Sequence, residues 1–191
     1  MQSSESELKR FIEDNLSRAH YFSCVVLYKS TENSAWYTAI SLGEIIKNYF
    51  KSTKDKQINI HLILEINKII PILKGMGKND VLLLSIDNIN IKPLSSYLVS
   101  ETLNKKRNII FISKDDNPIS SPFKDITDVI IMVKSLSEDK LNCVIEISNR
   151  GQRELELKLP DSSLINEYKD LRDTLLKEII KRQIPELEDQ E

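Results

Sequence analysis

Apolar runs recur along this chain as far as residue 133, and each is apolar throughout rather than at every second position. They span 21–28, 58–64, 81–86, 108–113 and 128–133. Strands of this kind are typical of a parallel sheet that helices cover on both faces. One segment with helical spacing, 4–17, precedes these runs. Others lie between them, from Asn33 or Ser34 to about 49, at 66–73, and from Pro93 to 104, with a polar linker at 51–56. We therefore predict an α/β fold with right-handed crossovers.

Beyond Lys134 the pattern changes to alternation. Residues 141–148 and 153–159 alternate, and Asn149-Arg150-Gly151-Gln152 between them is a hairpin turn signal. We interpret this as an antiparallel hairpin that extends the mostly parallel sheet. A terminal helix then begins after 161–163. The predicted organisation is an N-terminal helix at 1–19, an α/β core at 20–160, and a C-terminal helix with an acidic tail at 161–191.

Composition limits the class of protein. The chain has 191 residues, 40% of them hydrophobic and 29% charged, so one domain with a sizeable core is expected. A net charge of −2 gives no overall attraction to nucleic acid or membrane. Cys24 and Cys143 lie in apolar runs and are predicted to be buried thiols, while His20 and His61 are isolated, so no metal site is predicted. Without a signal-like or membrane-spanning segment, we expect a cytoplasmic protein, or a nuclear one in a eukaryote.

The segment after the first strand stands where a nucleotide-binding loop would lie. Such a loop reads G-x-x-x-x-G-K-[ST]; its glycines let backbone N–H groups surround the phosphates, and its Lys neutralises their charge. Residues 31–38 read T-E-N-S-A-W-Y-T, so only Thr38 matches. Trp36 and Tyr37 take the places of the second Gly and the Lys, and Glu32 adds negative charge. We therefore expect no ATP hydrolysis, and predict no catalytic residue and no cofactor.

This arrangement resembles the RecA-like family of bacterial RecA, archaeal RadA and KaiC-like proteins. The resemblance rests on 31–38, 81–87, 108–114 and the final hairpin, and covers roughly residues 20 to 160. In that family a second apolar strand ends in an Asp that positions Mg²⁺ and water, and Asp87 has a similar place. The next strand ends in a polar residue near the γ-phosphate, where Ser113 or Lys114 stands. The resemblance implies a RecA-like P-loop NTPase fold that lacks the Walker A motif, with Asp87 and Thr38 as the remaining candidates for cofactor binding.

Each of these candidates also has a structural interpretation. Asp87 either coordinates Mg²⁺ or caps the turn after its strand. Lys114-Asp115-Asp116 is either part of an active site or a solvated turn before Pro118. Trp36 and Tyr37 either stack on a nucleotide ring, or fill the vacated phosphate site, or anchor an interface.

Two basic clusters are candidates for nucleic-acid binding. They are Lys105-Lys106-Arg107, and Arg150 with Arg153. Such short runs can contact phosphates with a salt-dependent affinity. The sequence places no aromatic residue among them, and the alternative is a solvated helix end and turn.

The C-terminal helix carries a broad apolar stripe. Leu164, Tyr168, Leu171, Leu175 and Ile179 recur at spacings of four, three, four and four residues. The stripe either packs on the chain's own sheet or docks on a partner. The candidate interface residues are Trp36, Tyr37, Leu171, Leu175 and Ile179.

These observations predict a non-catalytic RecA-like accessory or regulatory subunit. The resemblance implies a RecA-family protein or another copy of the chain as partner, with DNA recombination and repair as the setting. KaiC-like signalling, or an RNA-modification scaffold like the RecA-like subunits of Elongator, are other settings. Two rival hypotheses are a ligand- or nucleotide-binding regulatory module and a protein that binds nucleic acid directly.

Overall fold

The computed structural model of the chain describes residues 4–29, 31–87, 89–148 and 150–183. The predicted acidic tail, and Asn149 of the predicted hairpin turn, lie outside the described residues. The helices are α1 (Ser4–Ala19), α2 (Glu32–Lys54), α3 (Ile69–Gly75), α4 (Ser95–Leu103), α5 (Ser121–Ile126) and α6 (Ser162–Gln183). The strands are β1 (Cys24–Tyr28), β2 (Ile60–Ile63), β3 (Val81–Ser85), β4 (Asn108–Lys114), β5 (Val129–Ser137), β6 (Lys140–Ile147) and β7 (Gly151–Lys158).

These strands form a mixed seven-stranded sheet in the order β2-β3-β4-β1-β5-β6-β7. The pairs from β2 to β5 are parallel, and β6 and β7 continue the sheet antiparallel. The α/β class and the C-terminal antiparallel hairpin are thus confirmed. Every residue of β1 and β3 is buried, because helices cover both faces of these strands, whereas burial in β5 and β7 alternates in part.

The crossovers place the helices on two sides. The connection through α2 runs from β1 outward to β2, and those through α3, α4 and α5 return in the opposite direction across the sheet. Right-handed crossovers therefore put α2 on one face and the other three helices on the other. On the latter face the core centres on Phe111 of β4, which stacks on Phe123 of α5 with ring centroids 4.3 Å apart.

Several boundaries differ from the prediction. The segment predicted as a polar linker at 51–56 is largely helical, because α2 runs on to Lys54 and ends at Asp55, which adopts a left-handed φ of 48°. Pro93 lies in a 3₁₀ turn, Lys92–Leu94, and α4 follows it. The short helix α5 was not predicted, since six residues with a proline near the start give too little periodicity.

The chain divides into two compact units, Met1–Leu159 and Pro160–Glu191. The first unit holds the sheet and α1 to α5, and the second holds α6. Both cysteines are buried free thiols, as predicted, and burial raises the pKa of Cys143 to about 12. None of the helices in the described part of the chain is long and apolar enough to cross a membrane.

Candidate functional site

The carboxyl ends of β1, β3 and β4 meet at one edge of the sheet. In open α/β sheets, ligands bind at this edge, where neighbouring crossovers leave on opposite faces. That point lies between β1 and β4, because α2 follows β1 on one face and α5 follows β4 on the other. The fold therefore brings Asp87 and Lys114 to the beginning of α2, which is the edge where the resemblance would place a nucleotide-binding loop.

The loop between β1 and α2 is too short for a phosphate-binding loop. Strand β1 ends at Tyr28 and α2 begins at Glu32, with Thr31 in extended conformation before it. In the motif, six residues precede the Lys between strand and helix. The alignment of 31–38 with that motif is therefore wrong, since most of this segment is the first two turns of α2. The residue that opens the helix is the acidic Glu32, where the motif would bring its Lys.

Glu32 is held in place by two neutral donors. Its carboxylate Oε1 accepts hydrogen bonds from the Trp36 indole Nε1 at 3.2 Å and from the Ser85 hydroxyl at 3.3 Å. Ser85 ends β3 and is 1% exposed. The second bond therefore connects the start of α2 to β3, which lies two strands from β1 in the sheet. A carboxylate fixed at the helix N-terminus occupies the favourable end of the helix dipole and repels a phosphate there.

Asp87 is engaged by three neighbouring groups. Its carboxylate accepts the Tyr28 hydroxyl at 2.5 Å, the Lys114 backbone N–H at 2.9 and 3.0 Å, and the Asn117 side-chain amide at 2.9 Å. The pKa of Tyr28 is raised by burial and by this bond to Asp87. Asp87 thus links the ends of β1, β3 and β4 in the manner of a turn-capping Asp. Mg²⁺ binding there would require breaking these bonds.

Thr38 does not reach the sheet edge. It is 0% exposed within α2, and its hydroxyl donates to the backbone carbonyl of Ser34 at 2.9 Å. The prediction that Thr38 contacts a cofactor is corrected, because the helix begins two turns earlier than the alignment assumed. Trp36 is 5% exposed and Tyr37 half-buried, so Trp36 fills the space beside Glu32. Whether either side chain contributes to an interface stays a prediction.

The first basic cluster lies at the opposite, amino edge of the sheet, directly before β4. Arg107 donates to the carbonyl of Leu73, in the last turn of α3, at 3.0 Å. It also donates to the carbonyls of Met76 and Gly77, which follow the helix, at 3.4 and 3.0 Å. Its Nε lies 3.5 Å from the buried carboxylate of Glu101. Arg107 is thus held by the fold and lacks the free guanidinium that phosphate binding needs. Lys105 pairs with Glu101 at 3.0 Å, and Lys106 is exposed.

The second basic cluster packs against α1. The Arg150 guanidinium lies over the ring of Phe11, with Cζ 5.7 Å from the ring centroid. Arg153 pairs with Glu7 of α1 at 3.2 Å. No local pattern in the sequence indicates this contact, because Glu7 and Arg153 are 146 residues apart in the chain.

The predicted apolar stripe lies on α6, the helix of the second unit. Leu171 is 42% exposed, and Leu175 and Ile179 are partly exposed. Leu176 and Ile180, which are 40% and 52% exposed, widen the stripe.

No protein-family model and no curated protein matches the chain. Among solved structures, it is similar to the N-terminal domain of zonular occludens toxin from Neisseria meningitidis. The similarity has a TM-score of 0.49 and 7% identity, and it covers 76% of this chain and 98% of that one. Likeness at this level says nothing about function, which has to be argued from the residues of this chain. Within the described residues, no group of three or more His, Cys, Asp or Glu side chains could hold a metal ion.

Proposed function

We propose that this chain is a non-catalytic RecA-like accessory or regulatory subunit that binds an active RecA-family ATPase, with DNA recombination and repair as the setting. The observation that carries the proposal is the occupied carboxyl edge of the sheet. Only three residues connect β1 to α2, where the resemblance would place a phosphate-binding loop. The carboxylate of Glu32 lies where the loop would bring its Lys, and Asp87, which would hold Mg²⁺, is fully hydrogen-bonded. The proposal is that the chain keeps the scaffold of an ATPase while internal hydrogen bonds take the place of the nucleotide site.

The physical basis of such a role is the shared active site of the family. Active members form nucleotide sites between neighbouring subunits, so a subunit without a site of its own can still present a complementary surface to a competent neighbour. Internal bonds such as Ser85–Glu32 and Tyr28–Asp87 keep that surface rigid without a nucleotide to order it. The exposed Leu171 and the stripe around it offer apolar area for the contact.

The proposal is tested by purifying the tagged chain from its native cells at moderate salt and identifying what accompanies it by mass spectrometry. We expect an intact RecA-family ATPase in stoichiometric amount. Leu171→Asp with Leu175→Asp should lose the partner, because a charge in an apolar contact is costly to desolvate. Lys177→Asp, an exposed change on the same helix, is the matched control and should retain it. Recovery of the chain alone, or as a homo-oligomer, would overturn the proposal.

A further inference from the structure

A groove in the first unit runs between α1 and the β6–β7 hairpin. Two adjoining cavities of about 270 and 410 Å³ form it, and they share Phe11, Arg18, Ile147 and Arg150. Arg10 and Arg153 also line the smaller cavity. We call this feature the arginine groove, meaning Phe11 with Arg10, Arg18, Arg150 and Arg153. Helix α1 thus adds two arginines and an aromatic ring to a cluster that the sequence shows only as Arg150 and Arg153.

Phe11 and Arg150 form a platform in the middle of the groove. The ring of Phe11 is partly exposed, and the Arg150 guanidinium lies over it at 5.7 Å from the centroid. Proteins that bind single-stranded nucleic acid combine such aromatic surfaces, on which bases stack, with cationic side chains along the backbone path. The aromatic residue that the sequence does not place among the basic residues is supplied here by tertiary structure.

Carboxylates also face the groove and restrict what it can take. They are Glu7, Asp14, Asp128 and Glu154. Glu7 is paired with Arg153, so Arg10, Arg18 and Arg150 are the cations best placed for a ligand. A duplex presents a rigid, continuous array of phosphates that would meet these carboxylates. A flexible single strand can place individual phosphates against individual arginines and insert a base between them.

We propose that the arginine groove binds single-stranded nucleic acid, with phosphates on Arg10, Arg18 and Arg150. A base stacks on Phe11 in place of the Arg150 guanidinium, which turns from the ring to a phosphate. This goes beyond the proposed accessory role, because it needs no ATPase partner. The groove is separate from the occupied carboxyl edge, since the β6–β7 turn lies level with the beginning of β5, at the amino edge of the parallel strands.

The first test is fluorescence anisotropy of fluorescein-labelled dT12 with the full chain, at 50 and 200 mM salt. Three neutralised phosphates predict a slope of about −2 in log affinity against log salt, so the affinity should fall roughly 20-fold between the two conditions. An rU12 probe measures whether RNA serves as well, and saturable, salt-dependent binding of either strand supports the proposal. No saturable binding of either probe at 50 mM salt would overturn it.

Variants locate the binding. Arg18→Gln and Arg150→Gln should each weaken dT12 binding several-fold and make the salt slope shallower by about 0.7. Phe11→Leu, which keeps an apolar side chain, should weaken it roughly 10-fold through lost stacking, and thermal melting checks that it folds. Lys134→Gln removes the same charge from an exposed position in β5 that does not line the groove, and it should change the affinity less than about twofold. Equal effects of Lys134→Gln and Arg150→Gln, or tighter binding of a 12-residue Glu-Leu peptide than of dT12, would contradict the proposal.

Discussion

Asp87 shows how a single residue type can serve chemistry or structure according to its neighbours. In the resemblance, a strand-end Asp holds Mg²⁺, and a carboxylate with open coordination positions would be needed for that. Here the Tyr28 hydroxyl, the Lys114 N–H and the Asn117 amide all donate to it. The sequence alone cannot distinguish the two cases, because Tyr28 and Asp87 are 59 residues apart and meet only through strand order. Their bond has measurable consequences.

Removing the hydroxyl of Tyr28 tests the structural role of Asp87. Tyr28→Phe should lower the free energy of unfolding by about 1–2 kcal/mol, since a charged acceptor loses a partly buried donor. Because the folded state raises the pKa of Tyr28, its contribution is complete below about pH 10 and is lost as pH rises further. Urea melts of both proteins at pH 7 and pH 11 measure the effect. Equal stability of Tyr28→Phe and the parent at pH 7 would exclude this role.

Asp80 provides a second, pH-dependent contact. Its carboxylate accepts from His61 Nε2 at 2.9 Å and from the backbone N–H groups of Asn59 and Gly77 at 3.0 Å. Burial raises the pKa of Asp80, but the His61 bond and the two backbone bonds outweigh it, so the pKa is lowered overall. A lowered pKa stabilises the fold above the ordinary Asp value near pH 4, and this contribution is lost as pH falls below it.

Asp80→Asn should therefore cost about 1–3 kcal/mol at pH 7 and make stability depend less on pH below 4. Urea melts between pH 2 and pH 7 give the comparison. Asp116→Asn, an exposed change in the turn after β4, is the control and should leave the curve unchanged. If Asp80→Asn loses as much stability between pH 7 and pH 2 as the parent does, another carboxylate causes the loss of stability in acid.

At the scale of whole elements, most of the fold could be predicted because its strands carry their own signal. The buried strands β1, β3 and β4 are unbroken apolar runs, and the β6–β7 hairpin has turn residues at its centre. What could not be predicted depends on contacts distant in sequence. The capping of α3 by Arg107 is one case, and the pairing of Arg153 in β7 with Glu7 of α1 is another.

Helix α3 depends on Arg107 at its C-terminal end. Seven residues are too short for a helix to be stable by itself, and the guanidinium satisfies carbonyls that the helix leaves unpaired. Arg107→Met should destabilise the protein by about 2 kcal/mol, because the carbonyls lose their donor and Glu101, which is 3% exposed, keeps only Lys105 of its two cationic partners. Adding Glu101→Gln should recover part of that loss in a double-mutant cycle. Lys106 is adjacent to Arg107 but exposed, so Lys106→Met is the control and should lower the free energy of unfolding by less than about 0.5 kcal/mol. A similar loss of stability from Arg107→Met and Lys106→Met would contradict this role of Arg107.

At the scale of the molecule, the occupied carboxyl edge predicts how the chain responds to nucleotide. A ligand at 100 times its Kd stabilises a fold by about 2.7 kcal/mol, which raises the Tm of a chain this size by about 5–10 °C. Glu32 repels phosphate and Asp87 has no oxygen free of a donor, so 5 mM Mg-ATP should shift the Tm by less than about 1 °C. A competent RecA-family ATPase under the same conditions provides the positive control. A shift of several degrees would show that the site binds nucleotide through another arrangement and would favour the regulatory ligand-binding module over the accessory subunit.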